Sequence, residues 1–193
     1  MIPARMLLAA ALLSPVAGAA AVEVAYELDP AHTFPSFEAD HLGGLSVWRG
    51  KFNASRGTVT LDRESGSGRL EVVVDTASVD FGLDAMNQKA RGASLLDTGR
   101  WPEARYGGRL VDFVDGRPTR AEGELTLRGV TRPLMLELRS FRCMPHPLHG
   151  RELCGADALA TFQRDDFGID AGRDHGFDMT VSLRIQVEAV AVE

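Results

Sequence analysis

The sequence predicts an all-β domain, built either as an antiparallel sandwich or as a closed barrel. Apolar and polar residues alternate with a period of two in many short segments. Glycine-rich turn sequences such as 65–68 and 114–118 separate these segments. Only residues 83–97 are typical of a helix, and Gly92 interrupts them. Periodicity alone does not distinguish a sandwich from a barrel.

The first residues have the three-part layout of a secretory signal peptide. Arg5 precedes an apolar run from Met6 to Leu13, and small residues follow up to Ala21. The apolar run is shorter than the about 20 residues that a transmembrane helix needs. We therefore expect residues 1–21 to be removed on export to the periplasm, with a buried N-terminal helix as the alternative. Residues 22–193 then form one domain with a substantial core.

The alternating segments predict the following strands in chain order: 25–28, 36–41, 50–62, 69–75, 105–114, 121–129, 133–141, 158–163 and 177–190. The last is the clearest, because its apolar residues alternate strictly with polar ones from Met179 to Val187. In the middle of the chain the same pattern places these residues on the dry faces: Phe52, Ala54, Val59, Leu61, Leu70, Val72, Val74, Leu125, Leu127, Leu134, Leu136 and Leu138.

Charge and motifs exclude several classes of function. The net charge of −6 argues against a nucleic-acid partner, which rewards clustered Lys and Arg. The chain has no G-x-S-x-G elbow, no H-E-x-x-H helix, no phosphate-binding loop and no dinucleotide fingerprint. Asp165 and Asp166 are adjacent, so in an extended segment they would face opposite ways and be poorly placed to share a substrate. The sequence predicts no catalysis and no cofactor.

Both cysteines of the chain lie in one short stretch, at Cys143 and Cys154, with His146 and His149 between them. An oxidising compartment favours a disulfide, and two cysteines allow a single intramolecular bridge. The alternative is a metal site with two sulfur and two nitrogen ligands. The His-x-x-His spacing is one residue shorter than that of common zinc sites, and structural zinc needs thiolates that such a compartment oxidises. We predict a disulfide.

Three motifs, in the right order, resemble those of the YceI-like, polyisoprenoid-binding family of bacterial exported proteins. Residues 26–62 look like its opening signature, with Asp-Pro-x-His followed by His-Leu-Gly, although Thr33 stands where serine is usual. Residues 123–138 resemble its Gly-x-Leu-Thr-x-Arg-Gly-Val-Thr-Arg-Pro hairpin, and 162–169 its Arg-x-Asp-Phe-Gly-Ile turn. The loop with the two cysteines is similar to one found in a cysteine-containing branch. Residues 86–108 follow the family pattern only loosely.

The resemblance implies a lipocalin-like, antiparallel, eight-stranded β-barrel with one short helix and an apolar tunnel for a lipid. The expected ligand is a polyisoprenoid or a quinone-like lipid, bound without catalysis. The positions predicted to face the tunnel are Phe37, Phe52, Leu70, Val72, Leu136, Phe162, Val181 and Ile185. By motif position, the candidates for contacting the lipid head group are His32, His41, Arg164 and Asp166. Each set has a plain structural alternative, as packed core or as hydrogen bonds that close hairpins.

Two rival functions stay open on the sequence. One is a metal- or thiol-dependent protein centred on the loop from Cys143 to Cys154. The other is a stress-related structural barrel whose interior is filled and which holds no ligand. As a lipid carrier, the protein would make transient contact with membranes, as a monomer or a homodimer.

Overall fold

A computed structural model describes residues 23–192, so the predicted signal peptide at 1–21 lies outside the described residues. The described chain forms one sheet, and all of its paired strands are antiparallel. Its strands are β1 (Val24–Leu28), β2 (Phe34–His41), β3 (Ser46–Phe52), β4 (Ser55–Asp62), β5 (Ser67–Asp75), β6 (Val79–Asp80), β7 (Glu103–Val114), β8 (Arg117–Leu127), β9 (Val130–Pro145), β10 (Glu152–Gln163) and β11 (Thr180–Ala191). One α-helix, α1 (Asp84–Arg91), joins β6 to β7, and short 3₁₀ turns occupy 76–78, 164–167 and 173–175.

The sheet closes into a barrel, which settles the choice between barrel and sandwich. A ring of eight strands runs β1–β4–β5–β7–β8–β9–β10–β11 and returns to β1, where Tyr26 pairs with Ala191. Only the last residues of β11 pair with β1. The earlier part of β11 pairs with β2, where Phe34 lies opposite Gln186 and Ala39 opposite Val181. The strands β3 and β6 then extend the wall from β2. The predicted eight-stranded antiparallel barrel with one helix is confirmed.

In an up-and-down barrel, the connections between successive strands lie alternately at one end and at the other; we call these the lower and the upper end. The lower end carries the turns 63–66, 115–116 and 146–151. The upper end carries the β2–β3 turn, the segment with α1, the β8–β9 turn and the long segment 164–179. Arg128, in the β8–β9 turn, links two other segments of this end, because its Nη1 donates to the carbonyls of Leu95 and Gly168, each at 2.8 Å.

Several strands are longer than predicted: β10 begins at Glu152 rather than 158, and β9 spans Val130–Pro145 rather than 133–141. Three further details differ from the strand and helix predictions. Residues 50–62 are two strands, because the backbone N–H groups of Asn53 and Ala54 turn away to bond with Ser78. The helix ends at Arg91 rather than 97, and the chain after Gly92 folds back so that the N–H of Leu96 bonds to the carbonyl of Ala90. A β-bulge in β9, opposite residues 157 and 158 of β10, shifts by one residue the set of side chains that faces inwards. Leu134, Leu136 and Leu138 line the interior, and so does Phe141, three residues further on.

Candidate functional site

The barrel encloses a cavity of about 710 Å³. Ligand pockets in proteins usually measure about 300–1,000 Å³, so the cavity is large enough for a small ligand or part of a longer one. Its wall is predominantly apolar and comes from every strand of the ring. A domain of this size normally fills its interior with side chains at crystal-like density. The cavity is therefore a feature that packing alone does not explain.

The inward faces of the strands build the wall. All eight residues predicted to face a tunnel lie on it: Phe37, Phe52, Leu70, Val72, Leu136, Phe162, Val181 and Ile185. Small residues such as Ala121 and Ala158 keep the middle of the barrel open, because they fill little of the space between opposite walls. Whether these positions contact a lipid stays a prediction.

Charged side chains reach the cavity at its upper end. Of the predicted head-group residues, His41 and Arg164 lie on the wall there, together with Asp40, Lys89 and His175. These residues come from β2, α1 and the 164–179 segment, which the fold brings to the same end. A polar edge on an apolar cavity is the usual arrangement for a ligand with a long tail and a small head.

Arg164 is the most deeply buried of these side chains, with 7% of its surface exposed. Its guanidinium donates to the carbonyl of Ile169 at 3.1 Å and to that of Ala171 at 2.8 Å, so it shapes the loop that follows β10. Burial lowers the pKa of the guanidinium from its usual value, although an arginine stays charged in proteins. Arg164 therefore places a fixed positive charge at the upper cavity wall.

Asp40 joins the β2–β3 turn to the loop before β11. Its Oδ2 accepts from the backbone N–H of Asp178 and of Gly43, both at 2.9 Å, and its Oδ1 accepts from that of Gly44 at 2.6 Å. The bond from Asp178, followed by those from Gly44 and Gly43, lowers the pKa of the Asp40 carboxyl. The carboxylate acts as a structural brace at the edge of the cavity.

Aromatic rings surround the upper part of the cavity. His41 lies 5.4 Å from the ring centres of both Trp48 and Phe177. Phe37 packs edge-on against Phe81 at 5.4 Å, and Trp48 lies 5.9 Å from the same ring. The phenylalanine and tryptophan rings are rigid and largely apolar, so they can pack against the flat, unsaturated groups of a ligand.

His32 and Asp166, the other two predicted head-group residues, lie away from the cavity. His32 sits on the outer surface between β1 and β2, where its Nδ1 is 2.7 Å from Oδ2 of Asp29. Asp166 is exposed and borders a small surface pocket beside Arg132 and Gln163. Motif position alone did not reveal this, because neighbouring residues in a turn can face either inwards or outwards.

The lower end of the cavity is closed by a polar cluster. Tyr26 is 2% exposed, and its hydroxyl donates to Oε2 of Glu152 at 2.5 Å, while Arg63 pairs with Oε1 of the same carboxylate at 3.0 Å. Burial, and then the bond to Glu152, raise the pKa of Tyr26 to about 12. Burial likewise raises the pKa of Tyr106, on β7, to about 12.

The predicted disulfide is present at the lower end. Cys143 and Cys154 face each other across β9 and β10 and are bonded to one another. Cys154 is buried and forms part of the cavity wall. Both sulfurs are bonded together, so neither is a thiolate that could bind zinc in this state. His146 and His149 stack on each other outside the barrel, with ring centres 3.7 Å apart. The disulfide is confirmed, and the alternative of a two-sulfur, two-nitrogen metal site is wrong for the oxidised protein.

Several residues of the cavity wall were not predicted from the sequence. Lys89 and His175 lie in the helix and in the loop before β11, where no period of two marks the inward side. Phe177 continues the alternation of Met179 and Val181 and could have been predicted from it. The helical spacing of Met86 and Ala90, four residues apart and both on the wall, is the one signal that could have indicated which face of α1 looks inwards.

Comparison with known proteins agrees with this architecture. The model of the YceI-like domain matches residues 26–189. The chain belongs to the YceI-like family. Protein YceI of Escherichia coli is 30% identical over 182 residues, covering 94% of this chain and 93% of that protein. A UPF0312 protein of Vibrio parahaemolyticus is 29% identical over 185 residues, covering 95% and 94%.

Solved structures of other bacterial proteins share the fold. BcnA of Burkholderia cenocepacia superposes with a TM-score of 0.66 at 18% identity, covering 83% of this chain and 98% of that one. A polyisoprenoid binding domain from Saccharophagus degradans superposes with a TM-score of 0.62 at 20% identity, covering 88% and 99%. At this identity the likeness establishes the lipocalin-like barrel. Within residues 23–192, no helix is long and apolar enough to cross a membrane.

Proposed function

We propose that this YceI-like protein binds a polyisoprenoid or quinone-like lipid in the barrel cavity, in the periplasm and without catalysis or a resident cofactor. The observation that carries the proposal is the apolar cavity of about 710 Å³ in the place of a packed core. The polyisoprenoid binding of the Saccharophagus degradans domain, as that structure is described, supports the same ligand class. A barrel without ligand, the structural rival, would gain stability by filling this space.

Burial of the tail can supply the affinity. Each methylene moved from water to an apolar cavity contributes about 0.8 kcal/mol. Ten to fifteen buried carbon groups then contribute about 8–12 kcal/mol, and part of this offsets the cost of immobilising the ligand. Micromolar binding needs about 8 kcal/mol, so a few isoprene units suffice without a strong polar anchor.

The head group is expected at the upper end. Arg164, Lys89, His41 and His175 border the cavity there, so the polar group of a lipid would meet hydrogen-bond donors while the tail extends towards Cys154. The lower end suits a tail terminus, because the tyrosine and disulfide that face the cavity there already have partners.

Transfer of the lipid requires a route that keeps it out of water. The β2–β3 turn begins at cavity-wall residue His41 and ends near Trp48, and it exposes Leu42, Leu45 and Val47, of which Leu45 is 72% exposed. These exposed residues adjoin the cavity-wall residues His41 and Trp48 in the chain, and we infer that they form an apolar rim at the upper end. We propose that this rim makes the transient contact with the bilayer from which the lipid is taken up.

The direct test is chemical. The protein, purified without detergent from cells that export it, is extracted with organic solvent, and the extract is analysed by mass spectrometry. We expect an isoprenoid lipid in amounts comparable to the protein, released from a monomer or homodimer whose mass is measured in parallel by light scattering. Repeated absence of any isoprenoid, together with failure to take one up from vesicles, would refute the proposal.

A further inference from the structure

A second cluster of potential ligands lies outside the barrel, away from the cavity. We propose that Asp29, His32 and Glu188 form a surface site for a divalent transition-metal ion such as Zn²⁺. One ligand atom from each side chain lies within 4.8 Å of the other two. Glu188 is 156 positions from His32 in the chain, so folding alone creates the cluster.

The backbone around the cluster is held in place by the strand junction. β11 pairs with β1 through residues 189–191 and with β2 through residues 181–186, and Glu188 lies between these two stretches. Opposite it, the chain leaves β1 and enters β2. The N–H of Asp29 donates to the carbonyl of Glu188 at 2.9 Å, and the hydroxyl of Thr33 donates to the same carbonyl at 3.1 Å.

Two further bonds complete this frame. The N–H of Glu188 donates to the Thr33 hydroxyl at 3.2 Å, and Nε2 of Gln186 donates to the carbonyl of His32 at 3.3 Å. Each ligand residue is therefore fixed at its main chain, and only side-chain rotations are needed to surround an ion. A frame of this kind lowers the entropic cost of binding, which limits affinity at flexible surface sites.

The side chains offer a suitable set of donors. Asp29 contacts His32 through Oδ2, and its Oδ1 accepts the N–H of Ala31 at 2.9 Å. Among the described residues, no hydrogen bond or ion pair engages the carboxylate of Glu188, of which one oxygen lies within 4.8 Å of a nitrogen of His32. One imidazole nitrogen and two carboxylate oxygens suit Zn²⁺, which binds such atoms at about 2.0–2.2 Å and takes water as a fourth ligand.

Metal binding would act on the closure of the barrel. The three ligands belong to β11 and to the segment between β1 and β2, so the ion would clamp the junction where β11 meets both strands. An ion that binds only the native state stabilises it by mass action. At about a hundredfold excess over Kd, we expect the midpoint of thermal unfolding to rise by about 5–10 °C.

The experiment titrates ZnCl₂ into the chelator-treated, full-length mature protein by calorimetry. We expect one site per chain in the wild type, and a loss of at least tenfold in affinity in both His32→Gln and Glu188→Gln. The matched control is His149→Asn, which removes one imidazole of the stacked pair in the 146–151 loop and should bind as the wild type does.

The outcomes separate the site from its alternatives. The rise in unfolding temperature with Zn²⁺ should vanish in His32→Gln, whose side chain is exposed, so that its removal leaves the fold intact. Absence of a one-to-one site in the wild type, or unchanged binding in His32→Gln, would overturn the proposal. So would loss of binding in the loop control, which would place the ion at His146 and His149. Binding of Zn²⁺ is measured without lipid, so this result is independent of the function proposed for the cavity.

Discussion

Filling the cavity with a side chain should abolish lipid binding without unfolding the protein. Ala158 is suited to this change, because it lies on the cavity wall in the middle of β10 and is 4% exposed. Ala158→Phe projects a six-carbon ring into the space where a lipid tail would lie. If the ring displaces six methylene-sized groups, the loss is about 5 kcal/mol, or more than a thousandfold in Kd.

The protein provides its own optical signal for this measurement. Trp48 lies on the cavity wall, whereas Trp101, the other tryptophan, does not. A bound short-chain ubiquinone should therefore quench the fluorescence of Trp48. In Ala158→Phe the quenching should disappear at concentrations that saturate the wild type.

The matched control lies on the same strand and faces outwards. Thr161 is exposed and pairs with Ser182, so Thr161→Phe adds a similar ring outside the barrel. We expect this variant to bind the quinone normally. Extra volume in a filled core destabilises by about 1–3 kcal/mol, whereas volume placed in a cavity should not. Normal quenching in a folded Ala158→Phe variant would show that the ligand does not occupy the cavity.

Three further predictions concern the disulfide, the tyrosines and the rim. Replacing both Cys143 and Cys154 by serine should lower the free energy of unfolding by about 2–3 kcal/mol, because the bridge closes a short loop, and quinone binding should persist in the folded fraction. Calorimetric unfolding and quenching at 20 °C measure the two effects. The pKa of both tyrosines, Tyr26 and Tyr106, is raised to about 12, so the native protein should show no tyrosinate absorbance with a midpoint near pH 10. Because these pKa values are raised, the stability that the neutral tyrosines contribute is present below about pH 10 and lost between about pH 10 and 12. Leu45→Gln should slow uptake of quinone from vesicles severalfold while leaving the Kd for soluble quinone unchanged, as stopped-flow quenching can measure.

Each of these three has an outcome that contradicts it. Loss of quinone binding in a folded disulfide variant would make the bridge part of the binding site rather than a staple. A tyrosinate midpoint near pH 10 in folded protein would mean that at least one ring is accessible to water. The control for the rim is Met135→Gln, a similarly apolar and exposed position on the side of the barrel. Equal slowing in both variants would mean that the rim has no special role in uptake.

Local patterns were reliable where a strand has one wet and one dry face. The inward positions Leu70, Val72 and Val181 could be read from the sequence, because side chains alternate between the two faces of any strand. The pattern failed where tertiary contacts interrupt a strand. Asn53 leaves the ladder to bond with Ser78, and the bulge in β9 brings Phe141 inwards. At both places the apolar residues change phase, from Phe52 to Val59 and from Leu138 to Phe141, but this change does not show which contacts interrupt the strand.

Polar residues were harder to place than apolar ones. Motif similarity selected His32 and Arg164 together, yet one lies outside the barrel and the other on the cavity wall. The grouping of His32 with Glu188, and of Lys89 with His175, joins segments that are far apart in the chain. Charged side chains in loops carry no periodic signal, so only the folded chain reveals which of them meet.

The sequence by itself determined the all-β class, the dry side of most strands and, through the compartment it implies, the pairing of its two cysteines. These properties follow from residue type and short spacing, which act locally. Only the tertiary structure decided that the sheet closes, that its interior is hollow and which polar groups border the hollow. Closure depends on the pairing of β11 with β1, two strands that are separated by most of the sequence. The size of the cavity depends on how the opposite walls of the barrel pack. No local pattern in the sequence can specify either property.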